Sequence, residues 1–164
     1  MDCTQAIMWI YSKGYRKIGV IGYSYGSYLA LMSVLYLEEK YKDIIHFLVL
    51  DGSISDVDEF CKNGCGFLPT FFRKKFGYER RKYKKYSPLT YISRIGSFPI
   101  LIRHGRKDIR IPFSQSEKLV DALQDIKKNV TFLRIGGGHT WMTSRNEIKF
   151  YQKIDTIISC RENL

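Results

Sequence analysis

The sequence predicts an α/β fold: a mostly parallel sheet of about four strands with helices on both faces. Three observations carry this. Short apolar runs alternate with helical patterns four times along the chain, the order that builds a parallel sheet with crossover helices. The run "IIHFLVL", 44–50, is almost continuously apolar, as a strand buried on both faces must be. A length of 164 residues, 45% of them hydrophobic, fits one globular domain with a sizeable core.

Each element has its own signal. "CTQAIMWIYSKG", 3–14, reads as a helix ended by Gly14. "KIGVI", 17–21, is a short apolar strand. Residues 24–41 carry helical apolar spacing at Leu29, Met32, Leu35 and Tyr36. The strand 44–50 follows. Residues 52–95 are irregular, rich in glycine, aromatics and base, and read as a helical excursion outside the sheet. "FPILIRHG", 98–105, is a strand started by Pro99. "SQSEKLVDALQDI", 114–126, is a helix with Ser114 as N-cap and Glu117 completing a capping box. "NVTFLRI", 129–135, is a strand, and 141–159 forms a final amphipathic helix.

Composition removes several function classes. No apolar run reaches the roughly 18 residues of a membrane span. The start "MDCTQ" has an acid at position 2 and no basic region, so it is a poor signal peptide, and a cytoplasmic location is the expectation. The four cysteines, Cys3, Cys61, Cys65 and Cys160, are then expected as free thiols. Cys61 and Cys65 lack the further neighbours a zinc site needs. The net charge is +11, from 27 basic and 16 acidic residues, and +7 of it sits in "RKKFGYERRKYKK", 73–85. No nucleic-acid-binding motif accompanies that run, so it reads as a solvated helical face.

The chemistry is concentrated at "VIGYSYGSYLALM", 20–32. A small polar residue between two glycines, where a strand becomes a helix, is the mark of a nucleophile elbow. The glycines remove side chains that would collide with the strand and helix, and the tight turn raises the Ser24 hydroxyl above the sheet. The helix N-terminus offers free N–H groups to a developing oxyanion. A gap-free G-x-S-x-G can also be a simple packing turn, so Ser24 needs partners. Its base should be a histidine oriented by a carboxylate, in the chain order serine, acid, histidine. His46 lies inside an apolar strand and reads as a core or sheet-end residue. His104 precedes the acid position that this order demands and reads as structural. His139, in "GGGHTW" after the last strand, sits on a glycine-rich, flexible loop at the carboxyl end of the sheet, where a base is needed. Asp108 in "HGRKDIRIP" is the acid, with Asp51 after strand 44–50 as its rival. Each of Ser24, Asp108 and His139 follows its own parallel strand, at the edge where open α/β sheets bind ligands. This chemistry calls for no cofactor and no metal.

The segments "GYSYGSYLALM", "SPLTYISRI", "PILIRHGRKDIRIPFSQSEKLVDALQ" and "GGGHTW" together resemble the C-terminal part of the catalytic domain of the prolyl oligopeptidase family of serine peptidases. That family includes dipeptidyl and acylaminoacyl peptidases and has the α/β-hydrolase fold. The resemblance runs from about Lys17 to the end. It implies Ser24 as nucleophile, Asp108 as acid, His139 as base and the N–H of Tyr25 as one oxyanion donor. It also implies a partial α/β-hydrolase fold: one domain over 1–164, N-terminally incomplete, with a basic helical insertion at about 53–95. The upstream strands of the family would carry the second oxyanion donor, typically a tyrosine side chain. The family's propeller restricts substrates to short peptides. Ser27 stands where a third glycine is common.

The expected function is a serine hydrolase, peptidase or esterase, acting on a peptide or small acyl ester. The alternative is a catalytically weak chain that needs a partner. Without an upstream neighbour, strand 17–21 becomes an apolar edge, which invites a second copy or an upstream fragment to pair with it. A third reading, an acidic-ligand or nucleic-acid binder using the basic run, has the least support.

Overall fold

The computed structural model describes residues 2–77, 79–139 and 144–162. Helix α1 (Cys3–Ser12) opens on a reciprocal capping box: Asp2 accepts the Gln5 N–H at 2.9 Å, and Gln5 Oε1 accepts the Asp2 N–H at 3.2 Å. Strand β1 (Ile18–Tyr23), helix α2 (Tyr25–Lys40) and strand β2 (Ile45–Asp51) follow. The excursion between β2 and the next strand is helical. It holds α3 (Val57–Asn63), α4 (Phe67–Phe76) and two 3-10 helices, Arg80–Tyr86 and Pro88–Arg94. Strand β3 (Ile100–Gly105), helix α5 (Ser114–Asp125), strand β4 (Val130–Ile135) and helix α6 (Ser144–Glu162) complete the chain. The expected start of the last helix at 141–143 lies outside the described residues.

The four strands form one parallel sheet in the order β1-β2-β3-β4. Its register sets Tyr23 beside Asp51 and Asp51 beside Arg103, so the carboxyl ends of β1, β2 and β3 lie level. Helices α1, α2 and α5 cover one face, around Val20, Leu48, Leu50, Ile100 and Ile102. Helix α6 covers the other, with Phe150 and Ile154 on Val49 and Leu101. Strands β2 and β3 are therefore apolar on both faces, which explains the unbroken run at 44–50. Helices α3 and α4 join Tyr28 and Ile111 in a separate cluster around Phe60 and Phe72.

β1 is an edge. Its Ile18 and Val20 are buried under the helices, but Ile21 and Tyr23 are 44% and 43% exposed on the opposite face. Cys3, Cys61 and Cys65 are free thiols. Among the described residues, no helix is long and apolar enough to cross a membrane.

The start of α5 corrects the sequence reading. Phe113 already has helical dihedrals (φ −55°, ψ −31°) and makes no side-chain cap. The carbonyls of Pro112 and Phe113 accept the N–H groups of Gln115 and Ser116. That tight turn leaves the Ser114 hydroxyl to donate to Glu59 Oε1 at 3.2 Å, and no capping box forms.

Candidate active site

Ser24 occupies the junction of β1 and α2 with φ 54° and ψ −125°. A side chain at positive φ is strained, and such strain is characteristic of functional turns. The surroundings hold it there. The Ser24 N–H donates to Asp51 O at 2.7 Å. A Cβ on Gly22 would lie 2.6 Å from Ser27 Cα, so glycine is required at that position. Gly26 differs from the expectation: a Cβ there would meet nothing within 4 Å among the described residues. Close packing therefore demands one of the two glycines.

The buried Ser27 hydroxyl is a staple the sequence did not reveal. It donates to Gly22 O at 2.6 Å, lies 2.8 Å from Asp51 O and accepts the Asp51 N–H at 3.0 Å. It closes the elbow on itself at Gly22 and ties it to the last residue of β2 at two points. The only sequence signal was a serine standing where the resemblance expects glycine.

Gly105 brings the other two residues together. A Cβ there would lie 2.3 Å from Gly138 O and 2.4 Å from Gly137 O. Without one, the turn after β3 packs directly on the loop after β4. The Arg106 N–H donates to Ile135 O at 2.7 Å and the Lys107 N–H to Gly137 O at 3.0 Å. The glycine loop is thus pinned by its neighbour, not free as its composition suggests. As a result His139 Nδ1 lies 2.7 Å from Asp108 Oδ2, and His139 Nε2 lies 2.8 Å from Ser24 Oγ. An ionised carboxylate can only accept, so Nδ1 carries the proton and Nε2 accepts from the Ser24 hydroxyl.

Asp108 is held by four donors. Its Oδ1 accepts the N–H groups of Arg110 (2.8 Å) and Ile111 (3.0 Å), while His104 Nε2 approaches Oδ2 at 3.2 Å beside His139. Burial by itself would push the carboxyl up; the hydrogen bonds from His104, His139 and Ile111 outweigh it and hold Asp108 well below the usual carboxylate range.

The profile of the prolyl oligopeptidase family matches residues 1–156. The chain belongs to the prolyl oligopeptidase family. No curated protein sequence matches it significantly. Among solved structures, an acylaminoacyl peptidase in complex with Z-Gly-Gly-Phe-chloromethyl ketone superposes with TM-score 0.78 and 23% identity, over 94% of this chain and 25% of that one. A puromycin-hydrolysing peptidase of Mycobacterium tuberculosis gives 0.75 and 23%, over 88% and 22%. The uncomplexed acylaminoacyl peptidase of Pyrococcus horikoshii gives 0.66 and 25%, over 76% and 20%. The chain thus spans a fifth to a quarter of the length of these proteins.

In this member of the prolyl oligopeptidase family the remaining sequence candidates fall elsewhere. Asp51, the rival acid, pairs with Arg103, and both are buried. His46 is half-buried within β2. His104 is fully buried, with its one Nε2–H shared between Ile111 O at 3.0 Å and Asp108 Oδ2 at 3.2 Å, and Nδ1 2.6 Å from the Ser116 hydroxyl. The sequence reads His104 as structural; its reach to Asp108 was not visible there. Tyr25 is the first residue of α2, where backbone N–H groups lack helical acceptors. A cleft of about 410 Å³ opens beside these residues. It is lined by Ser24, Tyr25 and His139 together with Cys65, Gly66, Phe67, Leu68 and Arg110.

Proposed function

We propose that this chain is a serine hydrolase that cleaves a peptide or small acyl ester through an acyl-enzyme. The observation that carries the reading is the unbroken hydrogen-bonded series from Ser24 Oγ through His139 to Asp108. A serine hydroxyl is a weak nucleophile until a base takes its proton. His139 Nε2 accepts that proton as Ser24 Oγ attacks the substrate carbonyl carbon. The imidazolium so formed keeps its Nδ1–H on Asp108, whose negative charge stabilises it. The carbonyl electron pair moves to oxygen, where the N–H of Tyr25 and the positive end of α2 stabilise the oxyanion. Collapse expels the leaving group, which takes the proton from His139 Nε2. Water then repeats the sequence on the acyl group and frees Ser24.

Intact-mass labelling with a fluorophosphonate tests this. The parent should gain one adduct, and Ser24→Ala and His139→Ala should gain none. A folded parent that takes no adduct overturns the reading for this chain alone.

The exposed edge of β1 favours a second reading, a weak hydrolase completed by a partner. Ile21 and Tyr23 lie open on the outer strand, whose unpaired backbone groups are a template for another strand. A second copy, or an upstream segment, pairing there would cover both side chains. An upstream segment would also bring the second oxyanion donor that the resemblance implies. One such donor is worth about a hundred- to a thousandfold in rate. Adding an upstream segment in trans should then raise labelling by that order. An unchanged rate, together with a strictly monomeric chain in sedimentation, would remove this reading.

A further inference from the structure

We infer that the exposed face of α4 docks this chain onto an anionic lipid surface, with the Ser24 cleft opening beside the docked face. The observation is a periodicity of exposure. Pro69 and Phe72 are buried, and the Phe72 ring packs within 5.2 Å of Tyr28 and 5.6 Å of Phe60. The opposite side of the same helix carries Phe67, 76% exposed, and Phe71, 37% exposed. Residues three, four and seven apart share a helix face, so Lys74 and Lys75 stand on that side as well, and both are exposed. The Lys75 ammonium lies 5.5 Å from the Phe71 ring centre, so apolar and cationic groups form one patch.

An interfacial helix has this composition. Its aromatic side chains enter the boundary between headgroups and acyl chains, and its lysines lay their stems along the apolar surface and reach the phosphates. The charge supports the same partner. The segment 73–85 carries +7, and after α4 it continues through exposed Arg81, Lys82, Lys84 and Lys85. Only Glu79 offsets it, pairing with Arg81 and Lys82. Two phenylalanines offer no hydrogen-bonding group to a base edge or a polar protein surface. They also project from a convex helix, where stacking on a nucleic-acid strand needs a groove that follows its backbone.

The cleft gives the docked face a use. Phe67 belongs to both, as an exposed residue of the patch and as a wall of the Ser24 cleft. A chain docked through α4 would meet acyl substrates at the bilayer surface. That consequence rests on the hydrolase reading; the docking itself does not.

The test is co-sedimentation of the full chain with vesicles of phosphatidylcholine, with and without phosphatidylserine. Binding should require phosphatidylserine and weaken with salt. Lys74→Gln with Lys75→Gln should weaken it about thirtyfold. Phe67→Ser with Phe71→Ser, which keeps every charge, should weaken it by about tenfold or more. Lys74, Lys75 and Phe67 are exposed, whereas Phe71 also packs edge-on against Tyr25 and Phe72, so Phe67→Ser alone, with circular dichroism matching the parent, should also weaken binding severalfold. Ser24→Ala should bind as the parent does. If it binds while the parent takes no fluorophosphonate, docking stands and the hydrolase reading falls. Absence of binding to phosphatidylserine vesicles would overturn the proposal. So would binding indifferent to Phe67 and Phe71, or Phe67-dependent binding to a single-stranded oligonucleotide in place of vesicles.

Discussion

Asp51 and Asp108 are buried aspartates at the carboxyl ends of neighbouring strands, and their surroundings move them in opposite directions. Asp51 ends β2 and pairs with Arg103 through Oδ2, while its Oδ1 and the Arg103 Nε and Nη1 atoms are buried without hydrogen-bond partners among the described residues. Burial pushes its carboxyl up, and Arg103 pulls it only part of the way back. Asp108 is buried too, yet both of its oxygens are occupied, by two backbone N–H groups and two imidazoles. Its carboxyl is held down. Burial pushes both carboxyls up, so burial by itself does not separate them. The number of donors facing each one does. A carboxylate that must stabilise an imidazolium has to stay ionised, and Asp108 meets that condition far better than Asp51.

The largest expected effect separates the two by role. Under the proposed mechanism, Asp108→Asn should lower the rate of fluorophosphonate labelling, or of hydrolysis of an activated ester, by about ten-thousandfold. Asp51→Ala should instead act on stability, by about 3–5 kcal/mol in denaturant unfolding, because it strands a buried guanidinium. Replacing both partners, Asp51→Leu with Arg103→Met, should recover most of that loss. If Asp51→Ala matched Asp108→Asn in rate while unfolding like the parent, the two would not be distinct in role.

The comparison also has a pH signature. Asp108 has a folded value below its unfolded one. Its stabilising share is therefore fully present above about pH 4 and is lost as the pH falls toward the folded value. Asp51 is raised, so its contribution has the opposite sign: present below the unfolded value and lost as the pH rises through the folded one. Unfolding midpoints measured across acid pH should become less acid-sensitive in Asp108→Asn and more so in Asp51→Asn. Identical profiles for the two variants would break the contrast.

His104 offers a way to make Asp108 more like Asp51. His104→Phe removes one donor from Oδ2 and should slow hydrolysis about tenfold, since a hydrogen bond to a charged group is worth about 1.5–3 kcal/mol. The smallest effect belongs to Ser27, which holds the Asp51 backbone. Ser27→Ala leaves a buried N–H without an acceptor and should cost about 1–3 kcal/mol, read from the shift in the denaturant midpoint. A shift near zero would mean the elbow holds without its staple.

Much of this was legible beforehand because it is local. The strands and helices follow from apolar spacing within windows of a few residues. Ser24, Asp108 and His139 stood out because each follows its own strand, with glycines marking the turns. The readings that failed also depended on contacts. Ser114 has the pattern of a capping residue, but Pro112 and Phe113 start the helix one residue earlier. Gly26 sits in the elbow motif, yet open space surrounds the place of its missing side chain. The glycine loop before His139 looked mobile, and hydrogen bonds to residues 106 and 107 hold it.

Local pattern was enough for the order of elements, the parallel sheet they build and the three residues that gather at its carboxyl end. Those depend on periodicity and on turn chemistry, which a chain carries with it wherever it goes. Tertiary structure decided the rest. It paired Asp51 with Arg103, drew His104 in beside Asp108, made Ser27 a staple and left Phe67 and Phe71 exposed. Each of these joins or separates residues far apart in the chain. The energies involved come from hydrogen bonds and burial, which exist only once the strands lie side by side.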